Sequence, residues 1–486
     1  MQNRKRKLTL ERLDDWRWRI PRRGPMRSDG LIFADETLAR TAGRDGTLQQ
    51  VADVASLPGI VGPAMAMPDF HQGYGFPIGG VAAFDAEGEG IVSPGGVGYD
   101  INCGVRLLRT RLDRDEMEAH LDTLMVALLG HIPAGVGSRR PDLKLAERDL
   151  DRVLAEGVGW AVGRGLAGRA DADRVESGGC IAGADPDRVS GRAKQRGHNQ
   201  LGTLGSGNHF VEIDAVTTVY DAQAADALGL APEGVAALIH TGSRGLGHQV
   251  CSDAIRQMAR AAGRYGIRLP DRQLCCAPLD SDEGRGYLAA MAAAANYAFA
   301  NRAVISHWLG LALEQVFGRS AGEIGLGLVY DVTHNMAKLE THQVEGRRRR
   351  LCVHRKGATR AFAPGHPELP AAVRPLGQPV LIPGDMGRCS YVLLGSEGAM
   401  RETFGSCCHG AGRELSRKQA RLQARGRSIA GELLQRGIHV QGASRRTLDE
   451  ELSEAYKDVD RVVDVVCGAG LARRVARLEP LGVVKG

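Results

Sequence analysis

The stretch Ser93-Pro-Gly-Gly-Val-Gly-Tyr-Asp100-Ile-Asn-Cys103-Gly-Val-Arg106 is a glycine-rich turn that runs into a predicted strand at residues 105–112. Glycine permits the tight turns and close backbone approaches that metal- and phosphate-binding loops need. Asp100 and Cys103 are three positions apart, so a carboxylate and a thiolate can converge on one cation, and a thiolate can also bridge two cations. Sulfur favours Zn, Mn, Fe or Co over Mg or Ca. The alternative is that Cys103 is a buried structural thiol.

Predicted strands and helices alternate along the chain on both sides of this turn. β-Branched or alternating apolar residues beside Gly or Pro predict strands, and apolar residues at helical spacing predict helices. Asp113 and Asp115 can cap the first helix, while Gly318 and Gly437 follow the ends of two others. Further strands are predicted at residues 210–213, 236–240, 328–333 and 380–382, and helices at 117–128, 144–156, 287–317 and 414–436.

This alternation predicts an α+β fold. The chain shows no internal repeat, low-complexity block or linker, so we expect one large domain over residues 1–486. The domain is predicted to have a mixed β-sheet core, flanking helices and long glycine-rich loops. Helical insertions are expected at approximately 113–175 and 251–320. Glycine makes up 65 of 486 residues, nearly double the usual share of about 7%.

The charge of the chain permits an anionic partner but does not establish one. The net charge is +6 and the sequence pI is about 8.8, and many basic proteins bind no nucleic acid. Basic residues cluster at Arg4-Lys5-Arg6-Lys7 and at 347–350. Each cluster is interpreted either as an RNA contact or as a solvated tail or hairpin tip.

The cysteines and the apolar segments indicate a soluble cytoplasmic protein. The 10 cysteines lack the spacing of a small disulfide-rich domain, and a disulfide between neighbours such as Cys407 and Cys408 would be strained, so reduced thiols are expected. The N-terminus carries no apolar signal core. The apolar stretch at 288–300 is too short to span a bilayer, so no membrane partner is expected.

Three histidines lie where predicted strands meet loops. His209 follows a glycine loop and enters a strand, while His240 and His334 lie at strand ends. Rigid strands can fix imidazoles in the geometry that a metal site needs. Any one of these histidines alone is more often a satisfied core residue. Taken together, the three histidines leave a metal site and satisfied core residues as equal alternatives.

Four other segments carry groups suited to anions. His409 lies in a glycine-rich segment before a predicted long helix, whose positive end would favour phosphate. His409 is therefore interpreted as a ligand, a general base or a covalent nucleophile, the alternative being an incidental histidine in a capping loop. Residues 353–360 are predicted to form a compact basic turn that holds phosphates, and residues 383–391 form a second donor-rich turn. Lys485, next to the last residue, is either solvated or functional.

Taken together, these segments resemble the RtcB family of RNA ligases, and the resemblance covers nearly the whole chain. Many long motifs in one order make the match specific. The motifs are Trp18-Arg-Ile-Pro-Arg-Arg-Gly-Pro-Met26, Met67-Pro-Asp69-Phe-His71-Gln-Gly-Tyr-Gly-Phe-Pro-Ile-Gly-Gly80, the Asp100/Cys103 turn, Gly207-Asn208-His209-Phe210, His240-Thr-Gly-Ser-Arg244, His334-Asn335, residues 353–360, Cys408-His409-Gly-Ala-Gly-Arg413, Ala455-Tyr456-Lys-Asp-Val-Asp460 and Leu481-Gly-Val-Val-Lys485-Gly486.

The resemblance implies a reaction. Family members join RNA with a 2′,3′-cyclic phosphate or 3′-phosphate end to RNA with a 5′-hydroxyl end, using GTP and Mn²⁺, in tRNA splicing or RNA repair. The cyclic phosphate is opened by hydrolysis, and a histidine is guanylylated. GMP then passes to the RNA 3′-phosphate, and the 5′-hydroxyl attacks and expels it. An archease-like activator is a further expectation of the resemblance.

The resemblance also implies residue roles. By motif match, His409 is the guanylylated nucleophile and Cys103 bridges two Mn²⁺ ions. One ion would also bind His209 and His240, and the other Asp100 and His334. The positions that match the GMP pocket are Asn208, Phe210, Glu212, Ser390, Tyr456 and Lys485, and Arg413 and Arg196 are expected to face phosphates.

One turn departs from the family pattern, which commonly reads Pro-Gly-Ser-Met-Gly-Thr-Ala-Ser-Tyr. Here it reads Pro383-Gly-Asp385-Met-Gly-Arg388-Cys389-Ser390-Tyr391. Asp385 therefore joins the expected nucleotide-binding residues. Its carboxylate can accept from guanine N–H groups but repels phosphate, a charge that Arg388 is expected to offset. Two alternatives follow: a paralogue that activates or caps 3′-phosphate ends with altered nucleotide preference, and a catalytically impaired RNA-binding member.

Overall fold

The computed structural model describes residues 8–486, so the basic cluster at Arg4 to Lys7 lies outside the described residues. The strands are β1 (Glu11–Arg12), β2 (Arg17–Ile20), β3 (Gly30–Phe33), β4 (Ile60–His71), β5 (Ile78–Asp85), β6 (Ile91–Val92), β7 (Gly104–Asp113), β8 (Phe210–Val219), β9 (Gly234–Thr241), β10 (Ala277–Pro278), β11 (Gly327–Thr333), β12 (Asn335–Val344), β13 (Arg347–Lys356), β14 (Ala358–Arg360), β15 (Pro379–Ile382), β16 (Ser390–Gly395), β17 (Ser406–Cys408), β18 (His439–Gly442) and β19 (Ala472–Lys485).

The helices alternate with these strands. They are α1 (Glu36–Thr41), α2 (Thr47–Val54), α3 (Arg114–Glu118), α4 (Leu121–His131), α5 (Glu147–Glu156), α6 (Val158–Gly163), α7 (Gly191–Gly197), α8 (Ala222–Leu228), α9 (Arg244–Arg264), α10 (Asp282–Phe317), α11 (Ala321–Ile324), α12 (Glu397–Glu402), α13 (Arg417–Gln423), α14 (Ile429–Leu434), α15 (Arg445–Glu450) and α16 (Val459–Gly468). The predicted α+β fold class is confirmed.

The sheet that carries the site has the strand order β11-β7-β9-β8-β19-β16-β15, with β18 pairing in parallel with β19. All five strands predicted from the sequence belong to it. The register places Gly104 opposite both Thr241 and Thr333. Because β7 begins where β9 and β11 end, the residues just beyond these positions meet at the same end of the three neighbouring strands.

A second sheet has the strand order β1-β2-β3-β4-β5-β13-β12. Its strand β4 ends at His71, which lines the candidate site. Its hairpin β12–β13 carries the basic residues 347–350 close to its tip. This position agrees with the interpretation of that cluster as a hairpin tip. A short pair, β14 with β17, places Ala358 opposite Cys408. This pairing brings the segment that precedes His409 against the end of β13.

The long helix α10 forms the centre of the helical layer. Ser281 caps its first turn and Gly318, in the left-handed conformation, ends it, as predicted for its C-terminus. Its buried alanines pack against α4, α5, α6 and α9, which lets these helices approach closely. Helices fill much of 113–175 and 251–320, and their status as insertions stays a prediction.

Three helix predictions need correction. The helix predicted at 144–156 begins only at Glu147, and the one predicted at 117–128 is broken between α3 and α4 at residues 119–120. The long helix predicted at 414–436 is two short helices, α13 and α14. Ser416 caps the first with a capping box, Gly426 adopts a left-handed φ of 78°, and Ser428 caps the second.

The prediction of a basic turn at residues 353–360 is wrong, because this segment is strand and is buried. Arg355 donates to both carboxylate oxygens of Glu340 at 2.7 and 2.8 Å. Arg360 pairs with Glu368 at 2.9 Å. A buried guanidinium requires a partner, so these cations stabilise the fold instead of facing a phosphate.

The state of the cysteines and the apolarity of the helices were also predicted from the sequence. All ten cysteines are free thiols, in line with the expectation of reduced cysteines. Within residues 8–486, no helix combines the length and the apolarity needed to cross a bilayer.

Candidate active site

The ends of β7, β9 and β11 bring Cys103, His240 and His334 together. The Cys103 Sγ lies 3.4 Å from His240 Nε2, and the two imidazole Nε2 atoms are 3.3 Å apart. All three side chains are buried. Their potential ligand atoms lie within 4.8 Å of one another, so three strands that are distant in sequence form one compact group of donors.

Asp100 and His209 form a second group with the same thiol. His209 Nε2 lies 2.8 Å from Asp100 Oδ2 and 3.5 Å from Cys103 Sγ. The backbone N–H of Ser243 donates to Asp100 Oδ1 at 3.0 Å and fixes the carboxylate. The resemblance had implied His209 with His240 and Asp100 with His334. In the structure, the potential ligand atoms that lie within 4.8 Å of one another are those of Asp100, Cys103 and His209 and those of Cys103, His240 and His334. Which of these side chains share an ion stays a prediction.

The ionisation of these groups suits a cation. Burial lowers the pKa values of His240 and His334, so both rings are neutral at pH 7. Burial opposes ionisation of Asp100, but the hydrogen bond and charge interaction with His209, the hydrogen bond with Cys103 and the Arg244 charge together outweigh burial and hold the pKa of Asp100 at about 2. Burial and the Asp100 charge raise the pKa of Cys103. Neutral imidazole nitrogens of His240 and His334 converge on the Cys103 thiol. A divalent metal ion that favours sulfur and nitrogen ligands fits such a group.

His409 follows β17 of the short β14–β17 pair and faces the donor cluster. This cluster consists of Asp100, Cys103, His209, His240 and His334. The His409 ring centroid lies 4.7 Å from that of His334. Asp69 Oδ2 lies 2.5 Å from His409 Nδ1 and accepts from the His409 backbone N–H at 2.9 Å. With Nδ1 engaged, Nε2 is the nitrogen available as nucleophile. The expected helix dipole is absent here: His409 follows β17, and α13 begins only at Arg417.

Asp69 is a site residue to which the sequence reasoning gave no role. It lies on β4 and is fully buried, within one of the motifs that resemble the RtcB family. A lone acidic residue inside an otherwise apolar strand, Met65 to Phe70, is the signal that could have identified it, since buried carboxylates need a partner.

A cavity of about 240 Å³ adjoins the donor cluster and His409. Lys485 lies deep in it, with Nζ 3.7 Å from Glu451 Oε2 and 5.0 Å from the centre of the Phe210 ring. Burial raises the pKa of Glu212, which also lines the cavity. The expected nucleotide residues that line it are Asn208, Phe210, Glu212, Asp385, Arg413, Tyr456 and Lys485.

Asp385 is buried at the wall of this cavity. Its Oδ1 accepts from the Gly387 backbone N–H at 3.0 Å and from Ser453 Oγ. Arg388 Nε lies 3.5 Å from its Oδ2, so the ion pair expected to offset this charge is present. Ser390 lies behind the cavity wall and donates to Glu212 at 3.4 Å.

The two arginines expected to face phosphates occupy different places. Arg413 lines the cavity, but its Nη1 donates to Glu451 Oε1 and Tyr456 Oη, each at 3.0 Å. Arg413 therefore stabilises the cavity wall through these contacts. Arg196 lines a separate cleft, where its Nη1 donates to Gln249 at 3.1 Å.

That basic cleft has a volume of about 1180 Å³ and meets the cavity at Asp100, Asn208 and Arg417. Of the charged side chains that line it, six are cationic and one, Asp100, is acidic. The cations are Arg139, Lys144, Arg192, Arg196, Arg244 and Arg417. A cleft of this charge attracts a polyanion and leads it toward the donor cluster.

Comparisons with known proteins agree with this geometry. A family profile described as "RtcB: tRNA-splicing ligase RtcB" matches residues 50–486. The chain is 55% identical over 478 residues to a Thermococcus kodakarensis protein named tRNA-splicing ligase RtcB, covering 98% of this chain and 99% of the relative. It is 49% identical over 479 residues to the Archaeoglobus fulgidus protein of that name, covering 98% and 99%. A Mycobacterium tuberculosis protein named RNA-splicing ligase RtcB is 54% identical over 442 residues, covering 90% and 100%.

Proposed function

The chain belongs to the RtcB family of tRNA-splicing ligases, and from this premise we propose that it is a GTP- and Mn²⁺-dependent ligase joining RNA 2′,3′-cyclic phosphate or 3′-phosphate ends to 5′-hydroxyl ends. The observation that carries the proposal is the position of His409. Its ring lies against His334 of the donor cluster and beside the cavity that Lys485 lines. A cytoplasmic location and an archease-like activator belong to the same proposal.

The donor cluster supplies the metal sites of this proposal. Cys103, His240 and His334 would hold one Mn²⁺ ion, and Asp100, Cys103 and His209 the other. When bound, the ions neutralise charge on phosphate oxygens during displacement at phosphorus. The protein contributes fixed ligands on strand ends, so that the site needs little rearrangement.

His409 is the proposed nucleophile. Its Nε2 attacks the α-phosphorus of GTP, a P–N bond forms, and the bond to the pyrophosphate oxygen breaks. Asp69 stabilises the positive charge that develops on the ring because its carboxylate accepts from Nδ1–H. GMP then passes from Nε2 to an oxygen of the RNA 3′-phosphate, which restores the imidazole. The RNA 5′-hydroxyl finally attacks that 3′-phosphorus: a P–O bond forms, the bond between this phosphorus and the oxygen shared with GMP breaks, and the hydroxyl proton passes to solvent as GMP leaves.

The cavity is the proposed guanosine site. Carboxylates at Glu212 and Asp385 can accept from the N–H groups of guanine, and the Lys485 ammonium can donate to an acceptor of the nucleotide. Burial strengthens each of these contacts, because water does not compete for them. The basic cleft is the proposed path of the RNA strands, since its cations can neutralise backbone phosphates.

Incubation with [α-³²P]GTP and Mn²⁺ tests the nucleophile. We expect the protein to become covalently labelled and His409→Ala to abolish both labelling and ligation. His366→Ala, which removes an imidazole outside the cavity, is the matched control and should label normally. Labelling and ligation that persist in His409→Ala would show that the assignment is wrong.

The capping alternative is favoured by one observation, the carboxylate of Asp385 at the cavity wall. Product analysis separates it from ligation: an RNA 3′-end capped with a nucleotide would accumulate without joined product, and Asp385→Ser would increase joining. Joined product from the unaltered protein contradicts this alternative. The complete donor cluster, His409 and Lys485 argue against the catalytically impaired RNA-binding alternative.

A further inference from the structure

An aromatic stack lies at the border between the donor cluster and the basic cleft. Tyr99 directly precedes Asp100, and its ring stacks on that of His248 with centroids 4.8 Å apart and an interplanar angle of 23°. The Tyr74 ring also contacts that of Tyr99, with centroids 5.5 Å apart and an interplanar angle of 60°. Tyr99 is half-buried, whereas His248 is exposed on helix α9. The outer ring of the stack is therefore supported by protein and open to the cleft.

The surroundings of this stack are those of a nucleic-acid site. Tyr99 and His248 both line the basic cleft together with Arg196. Partial desolvation of the ring at the cleft wall and the Arg196 charge lower the pKa of His248, against the opposing charge of Asp100, which favours the neutral ring. Proteins that hold single strands combine a cationic groove with aromatic rings on which bases stack. Histidine is among the side chains used in this way for RNA.

We propose that the Tyr99–His248 stack is a nucleobase platform that holds a base at or next to one of the two RNA ends. The identity of the ligand rests on the proposed function, while the platform itself rests on the stack and the cleft. Asp100 belongs to the donor cluster and adjoins Tyr99, so a base on this platform lies close to the reacting ends.

The platform is a positioning device with a specific kinetic signature. It contacts a base and none of the reacting atoms, so it contributes to RNA binding and not to guanylylation of His409. Stacking on an aromatic ring tolerates any base, because each base has a flat face. An abasic nucleotide at the same position removes the stacking partner and leaves the phosphates in place.

The test compares paired RNAs that differ by one abasic nucleotide. One pair carries it at the 5′-hydroxyl end and another pair at the 3′-phosphate end, which identifies the strand that the platform holds. Ligation kcat and KM and the Kd of each single strand are measured for the unaltered protein, His248→Ala and His248→Phe. His198→Ala is the matched control, because it removes another imidazole that lines the cleft, whose Nδ1 lies 2.7 Å from the Gln195 carbonyl oxygen.

The unaltered protein should bind one abasic strand about ten-fold more weakly than its intact partner, within the range expected for one stacked base. His248→Ala should bind both members of that pair equally weakly. His248→Phe and His198→Ala should retain the preference for the intact base. GTP labelling should be the same in all four proteins.

Two results would overturn the platform: equal binding of intact and abasic strands by the unaltered protein, or a preference that survives His248→Ala. The binding measurement needs no ligation. If the protein fails to join RNA, the proposed function fails, and the strand-binding comparison still decides for or against the platform.

Discussion

At the level of single residues, Cys103 occupies the central place, because its thiol belongs to both groups of potential ligands. His334 belongs to one group and His209 to the other. This arrangement follows from the turn that places Cys103 next to the start of β7, where the ends of β9 and β11 also lie. Because the Cys103 thiol is shared, its loss should affect metal binding more than the loss of His334 or His209.

We predict that Cys103→Ala loses both Mn²⁺ ions, whereas His334→Ala retains one. The remaining group in His334→Ala is Asp100, Cys103 and His209, which still offers three donors. Bound Mn²⁺ per chain, measured by calorimetric titration or atomic absorption, checks this stoichiometry. Cys180→Ser, a thiol that donates to the Ala155 carbonyl, should bind as the unaltered protein does. Equal losses in Cys103→Ala and His334→Ala would contradict the shared position of the thiol.

Asp69 provides a second prediction at the residue level. Replacing it with Asn keeps the shape but removes the charge that stabilises the His409 ring at 2.5 Å. We expect the rate of GTP labelling to fall by about 10- to 100-fold, the usual effect of removing a partner that orients a functional histidine. Mn²⁺ binding should be unchanged, since the structure does not place Asp69 in the donor cluster. A normal labelling rate in Asp69→Asn would show that this contact has no role in the reaction.

At the level of elements, the site depends on a close approach between the loop after β17 and the strand β4. Gly412 has a φ of +75°, and a Cβ atom there would lie 2.0 Å from the Asp69 carbonyl oxygen. Only glycine permits both the left-handed backbone and this contact. The approach holds His409 against Asp69, so the loop after β17 is fixed to β4 of the second sheet at the candidate active site.

We predict that Gly412→Ala separates these elements. The protein should lose more than about 1 kcal/mol of unfolding free energy and most of its GTP labelling. Gly470→Ala is the matched control: its φ is +72°, but a Cβ atom there meets open space. The control therefore measures the backbone strain alone. Similar melting temperatures and labelling rates for the two variants would show that the contact with Asp69 does not matter.

At the level of the whole molecule, a buried ion pair joins the β12–β13 hairpin to the segment that leads into His409. Arg355 pairs with Glu340 and also donates to Ser406 Oγ at 2.8 Å, on β17. Burial opposes ionisation of Glu340, but the Arg355 charge and hydrogen bonds from His342 and Arg355 hold its pKa well below the usual range. The pair thus contributes to the fold only while Glu340 is ionised.

This pair predicts a loss of stability in acid. Because the folded pKa of Glu340 is depressed, its contribution is complete above the unfolded value of about 4.3 and is lost as the pH falls below it. Glu340→Gln should cost about 3–5 kcal/mol at pH 7 by leaving a buried guanidinium unpaired. The melting temperature, measured from pH 7 to pH 3, should show a shallower acid dependence in this variant. Glu432→Gln, which breaks an exposed pair with Arg427, should cost little, and an equal cost would contradict the argument.

The sequence by itself determined most of the local elements and most of the candidate site residues. β-Branched or alternating apolar residues predicted five of the eight strands of the site sheet, because burial on a sheet selects such residues. The motifs predicted Cys103 and His409 as functional residues from the sequence alone. They also predicted the three histidines at strand ends, which are His209, His240 and His334. Short-range signals also existed for the break in 414–436, where Gly426 and Ser428 end one helix and begin another.

Only the tertiary structure decided which of these residues meet. The register of β7, β9 and β11 grouped His240 with His334 and left Asp100 with His209, a choice that depends on contacts between distant segments. Tertiary packing also brought Asp69 to His409 across 340 positions. It buried Arg355 and Arg360 in strands where a phosphate-binding turn had been predicted. Local patterns reflect the burial of each residue, whereas strand pairing and inter-sheet packing fix the distances on which a metal site and a nucleophile depend.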